Sequence, residues 1–316
     1  MKEKILQMLR AEQAFVSGQR ISRALQVSRA AVWKAVEALR QEGYAIEAVS
    51  RRGYRLASVP DKVSSAEVQF HLGTRVLGRH VHHFETLPST MDEAFRLAGE
   101  GAPEGTIVIA EAQTRGRGRL GRSWVSPKGK GLYFSLILRP SCPLAEIPRL
   151  TLLAAVAVSE AVEAVSGVRL LIKWPNDLLF GKKKVVGILT EMRAEMDRVD
   201  FVVLGIGANI QARSGSLPPE AIALEEAAAC SLSRVALLQE MLRILEKWYS
   251  LAGKNGFAEV LKVWRERSAT LGQRVHFEDR GRNVSGKAVG LADDGGLLVE
   301  LSDGTVVKRI SGEVLL

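Results

Sequence analysis

Between Arg115 and Arg122 the chain places four arginines and three glycines within eight residues, and no acidic residue occurs from Ala112 to Leu138. Arginine presents a planar fork that matches a carboxylate or a phosphate. Glycine lets backbone N–H groups come close to the same anion. A loop so dense in one charge repels itself and is expected to be mobile until an anion arrives. On its own it suits a small-molecule phosphate and an RNA backbone about equally. Further cations follow. Lys173-Trp174-Pro175-Asn176-Asp177 comes directly after an apolar run, and Lys182-Lys183-Lys184 feeds Val185-Val186-Gly187-Ile188-Leu189. A basic turn leading into a buried strand leaves Lys182 and Lys183 in solvent and holds Lys184 against the sheet. Leu204-Gly205-Ile206-Gly207 marks a strand that something must approach closely.

Other reactive side chains point to less. His80-Val81-His82-His83 puts His80 and His82 on one face of a strand. No cysteine, HExxH spacing or convenient acid completes a zinc set, so a half-exposed strand is expected there and no metal site. Cys142 and Cys230 lack a CxxC partner and read as reduced thiols.

The elements that must position these groups separate into three segments. Residues 1–60 read as a winged helix-turn-helix. Ile5, Leu6 and Leu9 recur at helical spacing, and Ile21, Ala24 and Leu25 form a second short helix after Ser17-Gly18. Ser28 caps a third helix with Val32, Val36 and Leu39 on its buried side, and Gly43 ends it. Tyr44–Val49 and Tyr54–Leu56 read as strands joined by Arg51-Arg52-Gly53. Residues 65–270 alternate strands (106–110, 132–138, 170–173, 185–191 and 201–206) with helices at 147–165 and 232–251. Residues 271–316 carry short strands at 275–277, 284–291, 297–301 and 305–310, separated by turn residues at Gly281, Asp293–Gly296 and Asp303-Gly304. The fold class is therefore α+β: a winged helix-turn-helix, a central mixed α/β domain and a small C-terminal β-barrel.

The net charge of +9 is unevenly spread. Residues 1–60 hold 11 Lys+Arg against 5 Asp+Glu, a net of +6 (11 − 5), which suits a phosphate-contacting module. Ser28, Arg29, Ala30, Trp33 and Lys34 start the third helix, where small residues allow close approach to a groove and polar ones reach phosphate or base edges. Arg51 and Arg52 at the wing add contacts. Three-helix modules of this kind also dock proteins. Hydrophobic residues make up 47% and charged residues 25% of the 316, as in ordinary globular proteins. Apolar runs are too short to span a bilayer, and charged residues follow Met1 at once, so a cytoplasmic protein is expected.

Ser89-Thr90, GRGRLGR, KWPND, the lysine before VVGIL, and Gly205-Ile206-Gly207-Ala208-Asn209 stand in the order seen in biotin protein ligases. The chain resembles that family over essentially its whole length. With the winged helix and the Ser311-Gly312-Glu313-Val314 ending, it is similar to the bifunctional ligases that also act as biotin-operon repressors. The resemblance implies a catalytic domain of the biotin/lipoate ligase type and an SH3-like barrel. It implies that Ser89, Thr90, Met91, Gln113, Arg117, Gly118, Arg119, Lys184 and Gly187 hold biotin. Arg119, Arg122, Trp124, Asn176 and Asn209 would face the nucleotide, with Trp124 packing over the ligand once the loop orders. Lys184, Arg119 and Asp177 would be catalytic.

The implied chemistry agrees with the residues. Biotin's carboxylate attacks the α-phosphate of ATP to give biotinyl-5′-AMP and pyrophosphate, and the cations screen two anions brought together. Mg²⁺ covers the β- and γ-phosphates. A lysine of a biotin carboxyl carrier protein then takes the acyl group, with Asp177 orienting its amine or merely capping a turn. Operator DNA and a homodimer with biotinyl-AMP bound are the further implied partners. Some details depart from the family. Met91 stands where many relatives carry Asn, Leu120 replaces an arginine, and no tryptophan lies in 211–225, where Ile222 or Leu224 would have to cover adenine. The competing functions are a lipoate-type ligase, a non-catalytic ligand-sensing transcription factor and an RNA-binding protein.

Overall fold

The computed structural model describes residues 1–12, 14–195, 198–211, 216–279, 282–310, 312, 314 and 315. The turn expected at Gly281, and Ser311 and Glu313 of the chain's ending, lie outside them. The chain forms two units, Met1–Lys62 and Val63–Leu316.

In the first unit, helices Lys2–Ala11, Gly18–Leu25 and Arg29–Gln41 precede antiparallel strands Ala45–Val49 and Gly53–Ser58. Ser17 and Ser28 cap the second and third helices, accepting from the N–H of Arg20 at 3.2 Å and of Ala31 at 3.1 Å. The helical apolar stripes close a core of Ile5, Leu6, Leu9, Ile21, Val32, Val36 and Leu39, with Tyr44 and Ile46 from the strand side. Ala24, expected to face inward, is exposed. Gly53 has φ +106°, and a Cβ there would stand 2.1 Å from the carbonyl oxygen of Val16. Only glycine lets the wing lie this close to the segment between the first two helices. Arg40 donates to the Ile46 carbonyl at 2.9 Å and to Glu37 at 2.6 Å, joining the third helix to the wing.

In the second unit a seven-stranded sheet runs in the order Val81–Phe84, Ile107–Ala110, Gly131–Leu138, Arg198–Asn209, Lys183–Glu195, Asp177–Phe180, Leu171–Lys173. Its first pair is parallel and the rest are antiparallel. Alternate residues of each strand face opposite ways. Ile107, Ile109, Leu132, Phe134 and Leu136 join a core with helices Ile147–Ser166, Arg234–Asn255 and Ala258–Glu266. Val108, Ile137, Phe201 and Val203 meet Met91, Ala94 and Ala98 of helix Thr90–Gly99 on the other face. That helix stands where the sequence showed only a Ser-Thr motif. Strands Lys183–Glu195 and Arg198–Asn209 run well past their expected ends. There the apolar alternation stops but pairing continues, with Arg193 donating to Asp200 at 2.7 Å.

Where the C-terminal barrel is expected, strands Arg274–Asp279, Arg282–Leu291, Leu297–Leu301 and Val306–Arg309 form an antiparallel sheet in chain order. Leu315 returns to bridge His276. Val275, Ala288, Leu297, Val299 and Val314 share one core with helix Ile147–Ser166. Trp174 donates its indole N–H to the Gly295 carbonyl at 3.1 Å. The change near residue 270 is thus a change of architecture within one core.

A buried ion pair fixes the sheet where the arginine loop leaves it. Glu111 follows strand Ile107–Ala110 and accepts from Arg234, at the start of helix Arg234–Asn255, at 2.7 Å, and from the Val63 N–H at 3.1 Å. The two side chains are 5% and 3% exposed. Burial alone would raise the Glu111 carboxyl, but the nearby His83 ring and the hydrogen bond and charge of Arg234 outweigh it, and its pKa falls to about 2. Arg234→Met should destabilise this unit by roughly 3–5 kcal/mol, because it leaves a buried carboxylate without its cation. The folded pKa lies below the unfolded value of about 4.3. The Glu111 contribution is therefore full above that value and is lost as pH falls toward 2. Thermal melting between pH 6 and 2.5 should show the parent losing stability and the variant changing much less; parallel curves would refute this account.

Candidate functional site

The arginine segment is folded back on itself. Gly118 N–H donates to Arg122 O at 2.7 Å and Trp124 N–H to Gly116 O at 2.8 Å, and Arg117 and Ser123 form an antiparallel bridge. A Cβ on Gly116 would stand 2.4 Å from the Trp124 carbonyl oxygen, so glycine is needed for this close crossing. The self-repulsion expected of the loop is met by acceptors elsewhere in the fold. Arg117 pairs with Asp92 at 2.7 Å and with Glu191. Arg119 donates to Asn176 Oδ1 at 2.9 Å and to the Gly312 carbonyl at 3.1 Å.

Beneath this hairpin lies a cleft partly open to solvent. Thr90, Met91, Gln113, Arg117, Gly118, Arg119, Trp124, Asn176, Lys184 and Gly187 line it, with Gly205 and Gly207 on its floor. The glycine strand does admit close neighbours. A Cβ on Gly205 would stand 2.5 Å from Met91 Sδ, and one on Gly207 would stand 2.5 Å from the Trp124 ring. Trp124 thus rests on the floor, packed against Gly187 and Gly207. Among the described residues its buried indole N–H meets no hydrogen-bond partner.

Lys184 behaves as its position in a basic turn requires. It is half-buried while Lys182 and Lys183 are exposed. Its Nζ lies 2.7 Å from Asp177 Oδ1 and 5.2 Å from the Trp124 ring centre. Asp177 is therefore engaged by Lys184. Asn176 is held at both ends, its Nδ2 donating to the Ile188 carbonyl at 2.9 Å. Under the opposite wall runs a polar chain. Ser135 donates to Thr90 Oγ1 at 2.9 Å, Thr90 N–H donates to Gln113 Oε1 at 2.8 Å, and Gln113 Nε2 donates to Ser126 Oγ at 2.9 Å.

Four expected residues, Ser89, Arg122, Asp177 and Asn209, are not in the lining. Ser89 is buried and caps helix Thr90–Gly99 through the Met91 N–H at 3.2 Å. Arg122 is exposed on the outer limb of the hairpin, and Asn209 is buried at the end of its strand beside Gly131. Leu224 is fully buried in the core, which removes it as a cover for adenine; Ile222 is half-buried. Residues 212–215 lie outside the described set. Sequence reasoning missed Asp92, Ser126, Ser135, Glu191 and the Gly312 carbonyl. Asp92 carried a signal by adjoining Ser89-Thr90-Met91, and Gly312 by standing in the quoted Ser311-Gly312-Glu313-Val314 ending. Among the described residues no group of three or more His, Cys, Asp or Glu could hold a metal ion. His83 instead faces Glu111 at 3.7 Å. No helix among them is long and apolar enough to cross a membrane.

The first unit offers a second candidate surface. Ser28, Arg29, Ala30 and Lys34 are exposed at the start of helix Arg29–Gln41, and Trp33 is 55% exposed. An exposed indole amid cations suits a groove better than a core. At the wing Arg51 is exposed, and the Arg52 guanidinium stands 4.3 Å from the Phe15 ring centre.

A model of the biotin/lipoate A/B protein ligase family matches residues 83–209. An HTH-domain model matches residues 2–55, and a model of the biotin protein ligase C-terminal domain matches residues 270–316. The bifunctional ligase/repressor BirA of Bacillus subtilis is 45% identical over 300 residues, 94% of this chain and 92% of that protein. The bifunctional ligase/repressor BirA of Escherichia coli is 30% identical over 311 residues, 98% of this chain and 95% of that protein. The biotin protein ligase of Aquifex aeolicus, solved with biotin and ATP, has a TM-score of 0.65 at 31% identity over 75% of this chain and 98% of its own. With identity of this degree running through both units, the chain belongs to the family of biotin protein ligases that are bifunctional ligase/repressors.

Proposed function

We propose that the chain is a biotin–[biotin carboxyl-carrier protein] ligase and a biotin-responsive repressor binding operator DNA through its first unit. The observation that carries the ligase reading is the glycine-floored cleft with Lys184 and Arg119 in its lining. Trp124 packs on part of that floor, so biotin's bicyclic ring would lie beside the indole, and Lys184 and Arg119 would offset the charge of a carboxylate and a phosphate brought together. Biotin's rings would enter between Met91, Gln113, Gly118 and Gly187, with Thr90 and Gln113 supplying polar partners and Ser89 holding the helix that carries Thr90. ATP would lie toward Arg119, Asn176 and Trp124, with Arg122 and Asn209 at its margin.

Attack of the biotin carboxylate on the α-phosphate makes biotinyl-5′-AMP and releases pyrophosphate. Lys184 and Arg119 offset the negative charge that grows between the two groups. Magnesium belongs on the β- and γ-phosphates in this reading. It would be held chiefly by those phosphates and water and would screen their charge, while Lys184 and Arg119 would supply the chain's own positive charge at the α-phosphate. The acceptor lysine's amine then attacks the acyl carbon and AMP leaves. Asp177, paired with Lys184, would orient that amine or simply cap its turn. Incubation with ATP, biotin and an acceptor domain, followed by mass measurement, tests the reading; an acceptor of unchanged mass would overturn it.

For repression, Ser28, Arg29, Ala30, Trp33 and Lys34 would enter a groove, with Arg51 and Arg52 on the flanking backbone. One winged helix with a handful of phosphate contacts binds DNA at roughly 10⁻⁴–10⁻⁶ M at physiological salt. Two copies on a two-fold axis gain a large effective concentration for the second contact. A homodimer favoured by biotinyl-AMP would thus link ligand to operator.

Lys184→Ala should slow pyrophosphate release at saturating biotin by about 10²–10³-fold, as loss of a transition-state contact does. A raised biotin KM with unchanged kcat would refute that role. Arg119→Gly should still form some biotinyl-AMP but let it escape, because the hairpin then loses its hold on Asn176 and Gly312. Labelling of bystander lysines reports the escape, and clean bystanders while adenylate forms would count against it. Deleting residues 1–60 should abolish operator binding while much of the ligase activity persists. Intact chain should bind operator more tightly with biotin and ATP than without, at matched salt; equal affinity would defeat the coupling.

A further inference from the structure

Trp33 stands outside the core that the rest of its helix builds. Val32, Ala35, Val36 and Leu39 are the buried residues of helix Arg29–Gln41, whereas Trp33 is 55% exposed. Among the described residues its indole N–H finds no acceptor, and its ring meets no other ring or cation. An apolar ring left in water contributes little to folding, and covering it with an apolar group is favourable. The first unit therefore carries a large side chain whose use lies outside that unit.

Its surroundings select the chemistry of the partner. Glu12 pairs with Arg20, Glu37 with Arg40, Glu42 with Lys2 and Glu47 with Arg55. Arg23, Arg29, Lys34 and Arg51 are exposed and have no ion pair among the described residues. The face around Trp33 thus offers positive charge with little left to offset it, which suits a polyanion; protein-binding patches are instead poor in lysine. Ala30 lies one helical turn before Trp33 and is also exposed. With only a methyl there, the helix can settle close to base edges and carry the indole in beside it. On the major-groove edges of the bases, the thymine C5-methyl is the one apolar group. We propose that Trp33 is a specificity-determining residue of operator binding, its ring packing on a thymine methyl in each half-site. This rests on the repressor reading of the first unit and deepens it by naming the base feature that is read.

The size of the effect follows from one methyl taken out of water. That is worth about fourfold in affinity per half-site, or about fifteenfold when two separate half-sites add. The contact involves no charge. Replacing Trp33 should therefore leave the salt dependence of binding as it is, whereas Arg29→Ala should lower the salt slope by about one. Base preference and salt slope separate the ring from the cations around it.

Duplex DNA selected from a random-sequence pool by the full-length chain, with biotin and ATP present, supplies the probe. Each thymine of the selected site is then replaced in both half-sites by uracil, which keeps the base pair and lacks the methyl. Binding is measured at salt low enough for every variant to bind, since the phosphate contacts persist. At one thymine position uracil should weaken the parent about fifteenfold and leave Trp33→Ala nearly unaffected. Trp33→Phe keeps a ring without the N–H and should keep most of the uracil effect. Indifference of the parent to uracil at every thymine overturns the proposal, as does an equal uracil effect in the parent and Trp33→Ala. Loss of the effect in Trp33→Phe would assign recognition to the indole N–H and overturns it as well. A salt slope reduced in Trp33→Ala as in Arg29→Ala would also count against it. A parent that enriches no sequence from the pool refutes the repressor reading itself, whereas a parent that enriches one but ignores its methyls refutes only the role of Trp33.

Discussion

Cations that are to collect two anions must be held together before the anions arrive, and their mutual repulsion is the constraint around which this site is built. The chain meets it by giving cations borrowed partners. Lys184 rests on Asp177, Arg117 on Asp92 and Glu191, and Arg119 on the amide oxygen of Asn176 and a carbonyl at Gly312. The partners differ in kind. Full carboxylates neutralise, whereas an amide and a carbonyl only orient. A single stretch of like-charged residues acquires a division of labour from what surrounds it.

The sheet imposes the second constraint. Gly187, Gly205 and Gly207 stand on adjacent paired strands, with Gly187 opposite Gly207 in the register. Backbone hydrogen bonding holds this floor flat without side chains, and the opposite face packs Ile188, Leu204 and Ile206 into the main core. A one-residue slip between these strands would move the apolar set to the cleft. Core packing thus protects the floor. At the far wall the Glu111–Arg234 pair does similar service for the loop's root, tying strand end to helix start through a charge that cannot leave without large cost.

The motifs were legible because their residue types are local. GRGRLGR and KWPND, the last lysine of a basic turn and a strand with alternating glycines could all be read within a few residues. The winged helix was legible from caps and stripes, down to Ser28 and Gly43. The acceptors that tame the arginines were not, since Asp92 and Glu191 meet Arg117 only through tertiary folding. Composition predicted a repelling, mobile loop because Ala112–Leu138 holds no acid of its own. The fold supplies those acids from elsewhere. Ser89 and Leu224 illustrate a different shortfall. Their types fitted a ligand, but burial assigns one to capping a helix and the other to the core. Strand ends were misjudged where pairing outlasts the apolar pattern, as beyond Glu191.

The two flanking segments are attached in physically different ways. The first unit closes around its own apolar residues, whereas the C-terminal strands complete a core begun by helix Ile147–Ser166 and accept the indole N–H of Trp174. A lineage could therefore acquire or shed the DNA-binding unit as a cassette, with no compensating change in the enzyme's interior. The C-terminal sheet permits no such recombination. Its inner residues and those of the ligase must mutate in concert, and a crossover near residue 270 would join halves whose interiors had drifted apart.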